Sequence, residues 1–579
     1  MTALPAPPPA LRRAALVLAL LIGASLLALP WNLEAVTSWS GFTDGLQRLG
    51  AYLAGFGAPD LGAAMLSRCL GLAVETVSVA VLGMALGLVL GYPLAMLASR
   101  CVMLGEDPRH PASRMLRRGT LEFARFLLDA LRGVPDFLWA IVLANFTGVN
   151  AGTGMLAIGV SVAGILGKVL SEQWDNVEQS RYAALRSTGA SQLAQFFYGV
   201  QPLAARSMQS FVLMRLECAV RNASVIGVVG GGGLGAALWD EYTDGNWSRV
   251  ATVLLSLLAV TMCTDLGANL VRRQLRVDPN HPRAAQTVSR RDTARRRTFV
   301  TALIVLLIGG AVVALRDPLQ RAWAELSRIE WGYAGDYVFK LLVPTLDDPA
   351  YAGHPFAERL ADRFGSLLHH SVVPLALGVL STVLGALVAA LLVFPASVAF
   401  QLEAHRFTGE RLSRWGATRR WTLLVGARLA ALVLRGVPEV AWVVILMVFW
   451  KQGITPCVIA VGLHSAGVLH RVFTETVDNV PYQQLERVSN GCRPHVFLYG
   501  ALPRALPDWR TYVFFQFEVN MRVGIALGIV GAGGLGERFK TNLSFLQFGA
   551  ASSYLWAMIL LTVVIDRTSR RLQMRRMKC

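Results

Sequence analysis

Charge is what this chain has little of. Asp, Glu, Lys and Arg make up 16% of its 579 residues, against roughly 25% in a soluble domain. Fewer charged side chains means less surface facing water, and the mean hydropathy is +0.47. Cysteine is also sparse. The seven (Cys69, Cys101, Cys218, Cys263, Cys457, Cys492 and Cys579) form no C-x-x-C and no Cys/His ligand spacing, so neither a disulfide framework nor a zinc site is supported. The adjacent His369–His370 reads as an interfacial anchor rather than a metal site. There is no nucleophile elbow, no H-E-x-x-H and no P-loop; Gly167-Lys168 lacks the Ser/Thr and the upstream glycine of that motif. The chain is therefore expected to be no enzyme, to hold no cofactor or metal, and to leave any ATP to a partner. A cleavable signal is not evident either, because the apolar run ending at Leu29-Pro30-Trp31 has no small-residue cleavage site.

Apolar runs are what it has instead. A run of about 18 residues crosses a bilayer core of about 30 Å. We expect about twelve spans: 14–30, 70–99, 121–146, 151–171, 207–230 and 248–270, then 298–315, 369–400, 421–450, 453–472, 511–532 and 551–567. The formal net charge of +18 is confined to short segments between these runs. That excludes a nucleic-acid face and suits membrane orientation. Segment 271–297 holds nine arginines, and 100–118, 401–420 and the tail from Arg567 are also basic. Loop 231–247 carries Asp240, Glu241 and Asp244, and 316–366 has more acidic than basic residues. The two kinds of loop alternate, so both termini and the arginine-rich segment are expected in the cytoplasm of a bacterial inner-membrane protein. An even number of spans requires the same.

The chain also repeats itself. Leu-Arg-Gly-Val-Pro at 131–135 returns at 434–438, Asp175-Asn176-Val177 as Asp478-Asn479-Val480, and Glu217 and Arg221 as Glu518 and Arg522. The offset drifts only from 303 residues (Asp175 to Asp478) to 301 (Glu217 to Glu518). An all-α polytopic fold is expected: two six-span units, 1–271 and 298–579, in the same orientation, joined by a cytoplasmic linker over 272–297. This is a parallel repeat, and such halves usually face each other around a central pathway.

Between the fourth and fifth spans the charge pattern places a cytoplasmic loop in each copy. The first reads Ala183-Ala184-Leu185, then Gly189 and Pro202; the second reads Leu485-Glu486-Arg487, then Gly491 and Pro503. Glycine ends one helix and proline opens the next. This pattern resembles the EAA loop of ABC-importer permeases, although Ala183 and Leu485 stand where that loop has its glutamate. The resemblance implies a short amphipathic helix that docks on an ATPase subunit.

The following span reads Phe517-Glu518-Val519-Asn520-Met521-Arg522, then Gly528-Ile529-Val530-Gly531-Ala532-Gly533-Gly534-Leu535-Gly536. The first copy has Leu216-Glu217-Cys218-Ala219-Val220-Arg221 and Gly227 to Gly235. This string is similar to the phosphonate permease family, with a departure at Ala219. The resemblance covers about residues 70–270 and 369–567. It implies an importer for phosphonate, phosphite, phosphate or a related oxyanion. Its partners would be two ATP-binding subunits, a periplasmic or lipid-anchored solute-binding protein and the lipid of the membrane. The glycine-rich end also resembles methionine-type permeases, so another small solute stays open. Gly230, Gly232 and Gly235, and Gly531, Gly533 and Gly536, match the spacing of a dinucleotide loop but end a span instead of linking a strand to a helix. Their expected role is close helix approach or a pliable outer gate.

Charges at membrane depth usually face a cavity or a partner. Arg132, Asp136, Glu217, Arg221, Arg435, Glu439, Glu518, Asn520 and Arg522 are the candidates for a substrate pathway. Glu217/Arg221 and Glu518/Arg522 have the favourable order and four-residue spacing for an ion pair; Asp136 and Glu439 follow Arg132 and Arg435 by four residues, so they too could pair. Two readings stand side by side: the pairs neutralise each other against neighbouring helices, or some arginines lower the barrier for an oxyanion, which their forked donors suit. A secondary transporter is the rival class. It would show inverted repeats or a coupling carboxylate at mid-span, and would not need paired docking loops.

Overall fold

The computed structural model describes residues 9–104, 111–275, 290–346, 353–409, 413–486 and 492–574. Among these every regular element is helical. Six helices are long and apolar enough to cross a membrane: α3 (Ala63–Ala98), α6 (Ala151–Asp175), α9 (Trp247–Leu275), α13 (Phe356–Ala396), α16 (Ile454–Asp478) and α19 (Phe548–Met574). Two bent pairs also qualify when each is counted as one span. They are α10 (Arg290–Ala314) with α11 (Arg316–Ser327), bent by 66°, and α14 (Arg414–Gly436) with α15 (Glu439–Trp450), bent by 95°. The other expected spans are short, interrupted or charged; 14–30 holds only the shorter apolar helix Leu16–Ala28. That over 121–146 breaks between α4 (Pro111–Gly133) and α5 (Asp136–Thr147). Those over 207–230 and 511–532 lie on α7 (Gln201–Ile226) and α17 (Leu502–Leu527), which carry Arg215, Glu217 and Arg221, and Arg504, Arg510, Glu518 and Arg522.

The breaks in α4–α5 and α14–α15 have one cause. Pro135 and Pro438 lack an N–H and clash with the preceding turn, and the residue before proline is pushed out of the helical region. Val437 accordingly sits at φ −81°, ψ 122°.

The chain forms two compact units that do not follow its sequence halves. One is Tyr52–Val338; the other is Met1–Ala51 together with Phe339–Cys579. The first segment of each half thus packs with the other half, while the repeat itself divides the chain at 1–271 and 298–579. Within the second unit, α1 (Pro9–Ala28) lies on α13. Asn32 Nδ2 donates to Trp450 O at 3.2 Å, and Arg48 Nε, on α2 (Trp39–Gly57), donates to Val448 O at 3.0 Å. Both serve carbonyls that the end of α15 leaves without intrahelical partners. Within the first unit, α10 packs on α3 and α11 on α5. Tyr337, on α12 (Trp331–Leu342), receives Asn145 Nδ2 at 3.1 Å. Two copies of one repeat offer similar surfaces, so spacing cannot reveal which copy a segment covers. Of the expected linker 272–297, residues 272–275 and 290–297 belong to α9 and α10, and 276–289 lie outside the described residues.

At the centre of each unit a pair of spans approaches closely. A Cβ at Gly87 on α3 would lie 2.6 Å from Val162 Cγ1 on α6, and one at Gly385 on α13 would lie 2.8 Å from Ser465 Cβ on α16. Small residues allow such approach where no water drives helices together.

Candidate coupling loops and translocation site

After α6, the first loop makes a short turn over Gln179–Tyr182 and a helix over Ala183–Ser187, and is reversed by Gly189 at φ 75°. Ser191 caps the next turn, Gln192–Gln195, by accepting from Ala194 N. A wide turn, Phe196–Val200, then leads into α7, with Pro202 at its start. The second loop repeats this plan: Tyr482–Glu486, Arg493–Val496, a wide turn over Phe497–Ala501, and α17 with Pro503 at its start. Arg487 and Gly491 lie outside the described residues.

These helices have two faces. Ala183, Ala184 and Glu486 are exposed. Leu485 is fully buried among Phe400, Phe407, Phe473, Val496 and Phe497, and Leu185 is half-buried. The leucines therefore anchor the loops and leave the other face exposed, so Leu485 belongs to the anchoring face of its loop. Gly199 makes room for the anchor, since a Cβ there would lie 2.9 Å from Tyr182 Cβ and 3.0 Å from Leu185 Cδ1. Tyr482 adds a polar tie by donating its hydroxyl to Glu403. Arg406 stands 3.4 Å from Glu403 and 5.2 Å above the Tyr482 ring. The hydrogen bond to Glu403 holds the Tyr482 hydroxyl above the usual tyrosine range, and burial adds to this.

Where each loop leaves the bundle stands an aspartate. Asp175 is the last residue of α6. It accepts from Ser99 Oγ (2.7 Å), Cys101 N (3.1 Å) and Arg125 Nη2 (3.1 Å), and Arg125 Nε donates to Ala98 O at 3.0 Å. Asp478 ends α16 in the same way. It accepts from Ser397 Oγ, Val398 N (3.3 Å) and Ala399 N (3.3 Å) and lies 3.5 Å from Arg428 Nη2, while Arg428 Nε donates to Ala396 O at 3.0 Å.

The candidates for a pathway separate into distinct settings. Arg132 lies 3.4 Å from Asp129, which also receives Lys168. Asp136, beyond the break, accepts from Ser161 and Asn222. The pair expected between Arg132 and Asp136 thus gives way to two separate clusters, because the break turns α5 away from the last turn of α4. Glu439 lies 3.3 Å from His464 Nε2, and His464 Nδ1 is 3.0 Å from Val437 O. Arg435 is half-buried, with its backbone against Gly467. Glu518 and Arg522 lie 3.9 Å apart on α17. Glu217 is buried and Arg221 half-buried.

Asn520 lies inside a buried hydrogen-bond network. It is 1% exposed; it donates to Thr382 Oγ1 (2.9 Å) and accepts from Ser465 Oγ (2.9 Å) and Gln516 Nε2 (2.8 Å). Such a satisfied network ties α13, α16 and α17 together, and the first copy fills the same place with buried Ala219.

The glycine strings make tight reversals. In the first, Gly230 lies in a wide turn, Gly227–Gly231, and Gly232 at φ 76° leads into α8 (Gly233–Thr243). In the second, Gly531 (φ 115°) and Gly533 (φ 82°) precede α18 (Leu535–Ser544). The returning helices lie against their own spans, so a Cβ at Gly235 would run into Ser224 O and one at Gly536 into Ile525 O.

Asp129, Lys168, His464, Arg125 and Arg428 were not singled out from the sequence. The rule that picked Arg132 would have found them, because all lie within expected spans. Ser99, Ser161 and Asn222 carry no charge and gave no such signal.

A family model described as "Binding-protein-dependent transport system inner membrane component" matches residues 112–277 and again 415–575. The chain belongs to this family. It is 27% identical over 502 residues to the phosphate-import permease protein PhnE of Mycolicibacterium smegmatis, covering 86% of this chain and 84% of that one. It is also 27% identical to the phosphite transport system permease protein PtxC of Stutzerimonas stutzeri, over 35% of this chain and 70% of that one. A chain of the solved MetNI methionine ABC transporter overlaps 37% of this one with a TM-score of 0.32 and 18% identity, too partial an overlap to bear on the fold. The protein is thus an all-α, multi-pass membrane permease subunit of an ABC importer made of two fused repeats. The family works in general with an ATPase and a solute-binding protein.

Proposed function

We propose that this permease imports a phosphorus oxyanion (phosphate, phosphite or a phosphonate) by alternating access driven by separate ATPase subunits. The observation that carries the reading is the pair of loops at 176–200 and 479–501: each is anchored by a buried or half-buried leucine and leaves its outer face exposed. One loop per repeat calls for two ATP-binding subunits for one copy of this chain. The chain contributes no catalysis and holds no cofactor; ATP stays with the partners. A periplasmic or lipid-anchored binding protein delivers the solute, both termini lie in the cytoplasm, and the glycine reversals serve as the outer gate. The substrate class rests on likeness to the phosphate permease across most of both chains, and arginine's forked donors suit such anions.

The test is uptake by cells expressing the chain with an ATPase and a binding protein. Phosphate, phosphite and methylphosphonate are offered together and followed by phosphorus NMR, with labelled methionine in parallel. ATPase-dependent depletion of one phosphorus compound supports the assignment. Methionine entry without phosphorus depletion overturns the substrate class and leaves the transporter class standing.

A further inference from the structure

Two helix ends, the side of a third helix and the root of a coupling loop meet at one carboxylate in each unit. In the first, Asp175 joins the end of α6 to Ser99 and Cys101, just past α3, and to Arg125 on α4. Arg125 also caps Ala98 O, the last carbonyl of α3. In the second, Asp478, Ser397, Arg428 and Ala396 O repeat the arrangement on α16, α13 and α14. The residue after each aspartate already belongs to the loop.

We propose that Asp175 and Asp478 are positioning residues for transport: joints that carry movement of the coupling loops into α3–α4 and α13–α14. The inference rests on the importer reading above and adds to it the residues through which the force passes. Three features favour a joint over an ordinary stabilising bridge. The arginine binds two things at once, a helix-end carbonyl and the carboxylate, so displacing the carboxylate displaces the cap of the neighbouring span. The carboxylate is held from several sides at once, by a serine hydroxyl, a backbone N–H and an arginine 3.1 Å away in the first unit and 3.5 Å away in the second, so it cannot shift without moving its neighbours. And the arrangement forms twice, at both places where a span passes into a coupling loop.

The neighbouring residues differ between the copies while the joint does not. The first has Cys101 where the second has Ala399, and the anchoring leucine is half-buried in the first and fully buried in the second. The element common to both is the serine, arginine and aspartate set.

The test uses the full transporter with its ATPase. Hydrogen–deuterium exchange is measured with and without ATP, in wild type and in Asp175→Asn/Asp478→Asn. In the wild type, ATP alters exchange both in the loops and at 92–104 and 390–402. In the variant the loop response stays, while the response at those span ends falls by about fivefold or more, the scale of couplings along packed networks. An unchanged response at the span ends overturns the proposal. Should the double variant fail to fold, Arg125→Lys/Arg428→Lys keeps the charge and loses the forked geometry, and the same two outcomes decide. A role in folding alone would lower the yield and leave the ratio of the two responses unmoved. Failure of the ATPase to copurify with the wild-type chain would sink the importer reading instead, and is scored before any variant is compared.

Discussion

Lys451 and Gly148 occupy the same turn in the two repeats and share one backbone conformation. Gly148, after α5, has φ 68° and ψ 177°; Lys451, after α15, has φ 61° and ψ −175°. This region is essentially reserved for glycine, and another residue there costs about 1–3 kcal/mol. Strain of this kind persists only where the surroundings over-determine it. Here Asn32 and Arg48 bind the carbonyls of Val448, Phe449, Trp450 and Gln452 on both sides of the turn.

Replacing Lys451 by glycine is therefore expected to stabilise the protein by about 1–2 kcal/mol. The ion pair it would lose, with Glu34 at 3.8 Å, is exposed and worth little. A thermal melt in detergent checks this, and a lower melting temperature would refute it.

Leu485→Ala removes a side chain with no exposed surface. The loss is expected to be about 2–5 kcal/mol, together with release of the coupling helix. Glu486→Arg, on the exposed face, is expected to leave the melt unchanged and weaken copurification with the ATPase. If the two variants behaved alike in both assays, the division into anchor and docking faces would be wrong.

Asn520→Ala strands the partners of a buried network, at a cost of about 1–3 kcal/mol. Uptake per folded molecule is expected to stay near wild type, because Asn520 lies among helices α13, α16 and α17. Arg435→Ala is the opposite case: assembly with the ATPase is kept and uptake falls. Normal uptake in Arg435→Ala would remove that arginine from the pathway.

Thiol labelling offers a check that needs no substitution. Burial pushes the Cys101 thiol above its ordinary range, a hydrogen bond with Ser99 works against it, and Asp175 adds to the rise. A raised value means less thiolate at neutral pH, so maleimide is expected to react slowly there. Cys492, exposed beside the second loop, is expected to react quickly and to be protected by bound ATPase. Protection absent in a complex that copurifies would argue against docking at this loop.

Gly536→Ala places a methyl group where Ile525 O already stands. Overpacking costs about 1–3 kcal/mol, and more where the obstacle is backbone. Loss of expression or a lower melt is the expected result; wild-type stability would mean that the reversal opens readily.

Much of this protein is set by its sequence alone. Low charge and long apolar runs require helices in a membrane, since backbone groups there have no water to bind. The alternation of arginine-rich and acidic loops sets the expected orientation, and an offset near 302 residues reveals the repeat. Proline at 135 and 438 marks both breaks, because a missing N–H is a local fact. What only the tertiary structure decided is partnership. Asp136 bonds Ser161 and Asn222 instead of the arginine four residues away, because the break redirects the chain. Leu485 faces inward, although its position in the loop suggested docking. The first segment of each half packs with the opposite repeat. Identical patterns leave such choices open, since side-chain type and spacing describe one helix at a time, and which surfaces meet depends on the packing of the whole chain.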